Sequence, residues 1–314
     1  MKKLLLAFDG SLQSLNAAEL CWSLARTHAV TLTAQHVVNS VGLWQLLNFE
    51  LPGLTGSGPY VAAHEAMCKE LRAIGETLII AYEAKAKVHG FADQCILDEG
   101  DAISEVLKRS AAHDIVVIGH HSYNAASAQE GGGKQALPRY LTHLSMAEAL
   151  ARVIDKPLLV VQSACPAWKQ VRLMVHGIPG LQSSFAGAVE LANFLGLPLE
   201  ISNLFQGEES FEDLPDLSGL VAEARDFYPH LAIKTTKEKI WPNRENRHLA
   251  ELACKDDALV VIPTVQADGV RESVFGTTPD LFVRYSGVPS ILFWPTNYVV
   301  TSSSAKGSLA SAAG

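Results

Sequence analysis

One succession of short apolar runs and helical stretches passes along the chain twice, and this doubling constrains the fold more tightly than any single motif. In the first pass Leu4, Leu5, Leu6, Ala7 and Phe8 follow one another without polar alternation, then break at Asp9, Gly10 and Ser11. Such a run reads as a strand covered on both faces and feeding a helix. Residues 12–29 carry Leu15, Ala18, Cys21, Leu24 and Ala25 at roughly helical spacing, with Ser11 placed to cap the start. Further strands are predicted over 30–38, 91–97, 114–119 and 157–162. Helices are predicted over 61–89, from the acidic turn Asp98-Glu99-Gly100-Asp101 through Ala112, and over 141–154. The second pass gives strands over 171–177, 198–205, 231–236, 258–263 and 289–294, with helices over 182–195, 217–228, 247–255 and 277–285.

This alternation predicts an α/β protein made of two doubly wound, five-stranded parallel-sheet domains, Rossmann-like, with right-handed crossovers. The domains are expected at 1–163 and 169–297, followed by a tail over 298–314 whose Ser, Ala and Gly cannot contribute to a core and should be disordered. A chain of 314 residues, 48% of them hydrophobic, is long enough to bury both cores. Its formal charge of -8 and pI of about 5.8, with no segregated basic patch, argue against nucleic acid or an anionic membrane surface as partner. The five cysteines, Cys21, Cys68, Cys95, Cys165 and Cys254, are scattered without a CxxC pair, as in a reducing compartment, so a cytoplasmic location is expected. No apolar stretch approaches the roughly 20 residues that span a bilayer. The run before Asp9 is also too short for the core of a signal peptide.

The strand ends concentrate the residues capable of chemistry. Asp9 is expected at the carboxyl end of a central strand beside a helix N-terminus, the rim where open α/β sheets bind ligands. Strand two ends near His36, and strand four at His120 and His121. Adjacent parallel strands lie about 4.8 Å apart, so Asp9 and His120 are expected to form a coupled pair. A carboxylate that orients an imidazole makes a general base, and Asp9 with His120 and His121 makes a candidate transition-metal site. A small-molecule hydrolase or metal-binding enzyme is therefore one reading, although no nucleophile or HExxH spacing accompanies it. Residues 39–60 hold Leu43, Trp44, Leu46, Leu47, Phe49 and Leu51, more apolar material than a solvated loop carries, and read as an irregular packed insertion or a flap. Gly131 to Lys134 is not a Walker loop, because Ala128 and Gln135 stand where it needs a glycine and a hydroxyl.

Laid over one another, the two passes set Asp9-Gly10 against His176-Gly177, Gly119 against Pro263, and Ser145 against Thr277. With AFDGS at 7–11, DEGD at 98–101, DIVVIG at 114–119, SMAE at 145–148 and PLLVV at 157–161, and with ALVVIP, FGTT and PSILFW in the second pass, the chain resembles the universal stress protein family in its tandem form. The resemblance covers nearly all of residues 1–297 and implies that family's fold, with the two domains as an internal pseudo-dimer. It implies pairing through the segments 157–162 and 289–294, opened by Pro157 and Pro289 and closed by Gln162 and Trp294, and it is compatible with a homodimer. It implies a stress-response protein binding a small ligand or a protein partner, the ligand being ATP or another adenine nucleotide. The implied binding positions are Asp9, Val37, Gly119 and Ser145, with Gly276 and Thr277 in the second half. The family's ATP-binding members carry successive glycines after the fourth strand, which let backbone N–H groups approach phosphate. Here Ser122 and Leu144 replace two of them in the first half, and Pro263 and Gln266 two in the second, while His176 replaces the strand-end aspartate. These departures predict weak ATP binding at most, with the damage greatest at the triphosphate loop.

Overall fold

The computed structural model describes residues 1–47, 58–120, 145–165, 167–175, 181–206, 216–240, 251, 255–264 and 288–298. The first half contributes β1 (Lys2–Ala7), β2 (Val30–Asn39), β3 (Gln94–Gly100), β4 (Ile115–Gly119) and β5 (Leu158–Val161). The second contributes β6 (Gln170–Val175), β7 (Leu199–Gln206), β8 (Ile233–Ile240), β9 (Ala258–Thr264) and β10 (Ser290–Pro295). They form one ten-stranded sheet in the order β3-β2-β1-β4-β5-β10-β9-β6-β7-β8, which reads as the same five-strand order from either edge. Within each half every pair is parallel. The halves meet at β5 and β10, which run antiparallel from Ser290 opposite Val161 to Phe293 opposite Leu158. The carboxyl ends of the two sets of strands therefore lie on opposite rims of the sheet. In the first half the order reverses between β1 and β4, each of which leads on to a different side.

The longer helices among the described residues are α1 (Leu12–Thr27), α2 (Ser40–Leu47), α3 (Gly58–Val88), α4 (Ala102–Ser110), α5 (Met146–Val153), α6 (Leu181–Leu195) and α7 (Ser218–Phe227), and a single 3-10 turn spans Lys255–Asp257. Alternate residues of β1 go to two buried clusters, Leu4 and Leu6 to one and Leu5 and Ala7 to the other, which is why that run shows no polar alternation. Neither cluster stops at the seam: Leu4 and Leu6 share theirs with Leu173 and Ile201, and Leu5 and Val160 share theirs with Met174 and Phe293.

Three stretches differ most from the sequence reading, and smaller shifts start β3 at Gln94 rather than Phe91, α5 at Met146 rather than Leu141 and β8 at Ile233 rather than Leu231. Asp98, Glu99 and Gly100 do not open a helix but complete β3, because β2 extends to Asn39 and pairs with them in register; only Asp101 caps α4, accepting from Ser104 N at 2.9 Å. Residues 40–47 are helical rather than irregular, and Asn39 starts the helix by accepting from Gly42 N at 2.9 Å. β8 runs four residues past the predicted end at Thr236, since its KTTKEK sequence lies along a sheet edge and needs no apolar continuity. The predicted helices over 247–255 and 277–285, the loop with Gly131 to Lys134 and the tail over 298–314 fall wholly or mostly outside the described residues, but Tyr298, the first residue of that tail, is ordered against Trp294.

Two packing features bear on stability. Arg172 on β6 is almost fully buried, with its side chain 3% exposed. It faces its cross-strand neighbour Glu200 (Nε to Oε2, 2.8 Å) and also reaches Asp256 Oδ2 at 2.9 Å and the Lys255 carbonyl at 3.0 Å. On α6, Gly187 lies against the indole of Trp294, where an added Cβ would stand 2.1 Å from Cζ2. Alanine at 187 gains about 1 kcal/mol of helix propensity, but displacing a buried indole costs roughly 1–3 kcal/mol. Gly187→Ala should therefore be destabilising in a chemical denaturation curve, against the usual trend for helical glycine. A stabilised variant would show that the indole is not held in place.

Candidate functional site: the strand-end cavity of the first half

A cavity of about 310 Å³ opens at the carboxyl ends of β1, β2 and β4, under the first turns of α4 and α5. Asp9, Val37, Gly119, His120 and Ser145 all contribute to its wall, each from a different strand end, loop or helix start. His121, Gly276 and Thr277, the other candidates, lie outside the described residues.

Asp9 stands at the mouth, where its Oδ1 accepts from Ser11 N at 2.9 Å. Ser11 in turn caps α1 by accepting from Ser14 N at 3.2 Å. Crowding by protein pushes the Asp9 carboxyl up, but hydrogen bonds from the Ser11 hydroxyl and amide and from Ser14 outweigh it and hold the group below the usual carboxylate range. Asp9 is thus an ionised acceptor suited to hydroxyl or amine donors of a ligand. The ladder of β2 with β1 stops at Gln35, whereas its ladder with β3 continues to Asn39. Beyond Gln35 the β1-facing edge of β2 therefore borders the cavity through His36 and Val37. His36 donates from Nδ1 to the Phe8 carbonyl at 2.8 Å, and its ring packs under Gly75 of α3.

Gly119 closes β4 where the first turn of α1 crosses it: a Cβ there would stand 2.3 Å from Ser14 N and 2.4 Å from the Gln13 carbonyl carbon. The glycine is required by this backbone contact within the protein, whatever it also allows a ligand. His120 follows, buried, with its amide donating to the Val161 carbonyl at 2.8 Å and its Nδ1 3.1 Å from Ser145 Oγ. Ser145 caps α5 in a reciprocal box: its Oγ accepts from Glu148 N at 3.2 Å and its own amide donates to Glu148 Oε2. The buried Glu148 carboxylate therefore occupies the helix end at which an anion would otherwise be held. Asp9 and His120 share the cavity, where Asp9 accepts from Ser11 N and His120 Nδ1 meets Ser145 Oγ. Among the described residues no group of three or more His, Cys, Asp or Glu side chains is arranged to hold a metal ion.

Two residues of the site were not foreseen. Glu148 had a legible signal in the S-x-x-E spacing from Ser145. Gln35 had a weaker one, an amide between Ala34 and His36 in a strand predicted to be central; it is fully buried and forms part of the cavity wall.

The sequence profile of the universal stress protein family matches residues 1–162, more than half of the chain. The chain belongs to the universal stress protein family. A universal stress protein from Archaeoglobus fulgidus is similar in structure with a TM-score of 0.63 at 12% identity, over 94% of this chain and 98% of that one, a likeness of fold alone. A putative universal stress protein from Pseudomonas aeruginosa is 13% identical over 94% of this chain and 93% of that one, with a TM-score of 0.43. A universal stress protein family protein from Arabidopsis thaliana, solved with AMP bound, is 13% identical over 53% of this chain and 97% of that one, with a TM-score of 0.30. The last two superpose too loosely to bear on this site. No curated protein matches the sequence significantly. Like its relatives in fold, this universal stress protein is built on an α/β sheet, and no helix among its described residues is long and apolar enough to cross a membrane.

Proposed function

We propose that this universal stress protein is a ligand-binding rather than catalytic member of its family, and that its first-half cavity takes an adenine nucleoside or nucleoside monophosphate. The observation that carries the reading is the convergence of Asp9, Val37, Gly119 and Ser145 on one cavity at the point where strand order reverses. Its volume of about 310 Å³ is at the lower end of the range for small-molecule sites, enough for a nucleoside. Asp9 is suited to ribose hydroxyls, and the overhanging edge of β2 at Val37 to the rim of a planar base. A triphosphate fits the site less well, since the Glu148 carboxylate already occupies the N-terminus of α5 and Leu144 and Ser122 replace glycines that phosphate would approach. Binding is favoured over hydrolysis by Asp9 and His120 because the Ser145 hydroxyl beside His120 is engaged in capping α5.

Calorimetry on ligand-free full-length protein tests the reading. Adenosine and AMP should bind, ATP no more tightly than AMP, and Asp9→Asn should weaken adenosine by about tenfold, the loss of one charge-assisted hydrogen bond. Absence of binding by both adenosine and AMP would end the proposal.

A further inference from the structure

We propose that Gln35 reads the base: its side-chain oxygen selects a purine with an amino group at position 6 over one with a carbonyl there. The inference rests on the nucleoside reading above and assigns the group that gives it specificity.

Gln35 lies on β2 opposite Ala7 of β1, is 0% exposed, and forms part of the cavity wall. A primary amide brings two donors and an acceptor oxygen into this apolar place. Both donors are used, for Nε2 donates to Asp98 Oδ2 at 2.8 Å and to the Glu105 carbonyl at 3.2 Å. Those partners can only accept, so turning the amide over would set oxygen against two oxygens; its orientation is fixed. Asp98 is itself held by a two-pronged contact with Arg109, Nε to Oδ2 at 3.0 Å and Nη2 to Oδ1 at 2.9 Å. The guanidinium keeps the Asp98 carboxyl below the usual carboxylate range, so it stays an acceptor at neutral pH. Oε1 diverges from Nε2 and so faces away from Asp98. Among the described residues it has no hydrogen-bond partner.

A buried acceptor without a donor is unfavourable, and native proteins leave few of them. Oε1 is closed off from water in the ligand-free wall, so an N–H from a ligand in the adjoining cavity relieves it once the wall beside Gln35 parts to admit the edge of the base. The 6-amino group of adenine supplies such a donor, whereas the 6-carbonyl of hypoxanthine would bring a second acceptor against the first. Sites built to pair a buried polar group discriminate strongly against ligands that leave it unpaired.

The test is calorimetry on the full chain with adenosine and inosine as probes. Adenosine should bind at least about tenfold more tightly than inosine. Gln35→Met should bring the ratio to within about threefold by removing the acceptor at similar volume. Gln35→Leu should do the same, and either variant suffices once circular dichroism shows it folded. Purine riboside, which lacks the 6-substituent, tests the contact without altering the protein and should bind the parent more weakly than adenosine. Equal binding of adenosine and inosine by the parent, or a preference kept in the folded variants, overturns the role of Gln35 while the nucleoside reading stands. Binding of neither nucleoside overturns both.

Discussion

Gly119→Ala is expected to cost about 2–3 kcal/mol of stability, at the upper end of what overpacking costs, and to abolish ligand binding. The added methyl would stand 2.3 Å from Ser14 N and 2.6 Å from the Gln13 carbonyl oxygen, both main-chain atoms that no rotamer change can move. Either α1 or the end of β4 must shift, and Asp9, Ser11 and His120 are all hung on those two elements. Urea denaturation reads the first effect and calorimetry with adenosine the second. Gly219→Ala in α7 is the control, because a Cβ there meets nothing within 4 Å. It should stabilise by up to about 1 kcal/mol through helix propensity. A Gly119→Ala variant as stable as the parent would mean that α1 does not lie as close to β4 as described.

Arg172→Met should be the more damaging substitution, at about 3–5 kcal/mol, the cost of leaving buried charge uncompensated. The Glu200 side chain is only 12% exposed and would keep its charge while losing its closest cationic partner. Asp256, held at a positive φ of 65°, would lose the contact that anchors its turn. Lys234, 3.7 Å from Glu200 and itself well exposed, is a poor replacement. The double variant Arg172→Met/Glu200→Leu should recover a large part of the loss, since a buried ion pair replaced by apolar groups is often nearly neutral. Denaturation midpoints of the singles and the double decide the matter. A loss below about 1 kcal/mol for Arg172→Met would place this pair with weak surface ion pairs.

The central strands were legible because each is apolar on both faces and bounded by Asp, Gly or Pro, so β1, β4, β5 and β9 fall within about a residue or two of expectation. The edges were harder. Asp98 and Glu99 look like the acidic first turn of a helix, and only the register with β2 keeps them extended, a tertiary influence that local composition does not carry. Of the site, Asp9, Val37, Gly119 and Ser145 could be marked from motif order, and the cavity unites them. The reason for Gly119 was not legible, since it depends on where α1 passes rather than on a phosphate. Nor was the contact between His120 and Ser145, because nothing in the spacing sets the start of α5 against the end of β4. Gln35 escaped notice for a related reason: its burial is compensated by Asp98, Glu105 and Arg109, on other elements, and a lone glutamine in a strand is more commonly a solvent-facing residue.

The two apolar clusters that cross the β5–β10 seam give the halves a shared thermodynamic fate. Unfolding either half would strip apolar surface from the other, so the chain should behave as one cooperative unit despite its doubled plan. Linkage then extends a local event to the whole molecule. A nucleoside held beside Asp9 would raise the melting temperature of β6 to β9 together with that of the strands it touches, and the second half would register occupancy of a cavity on the opposite rim without contacting its ligand.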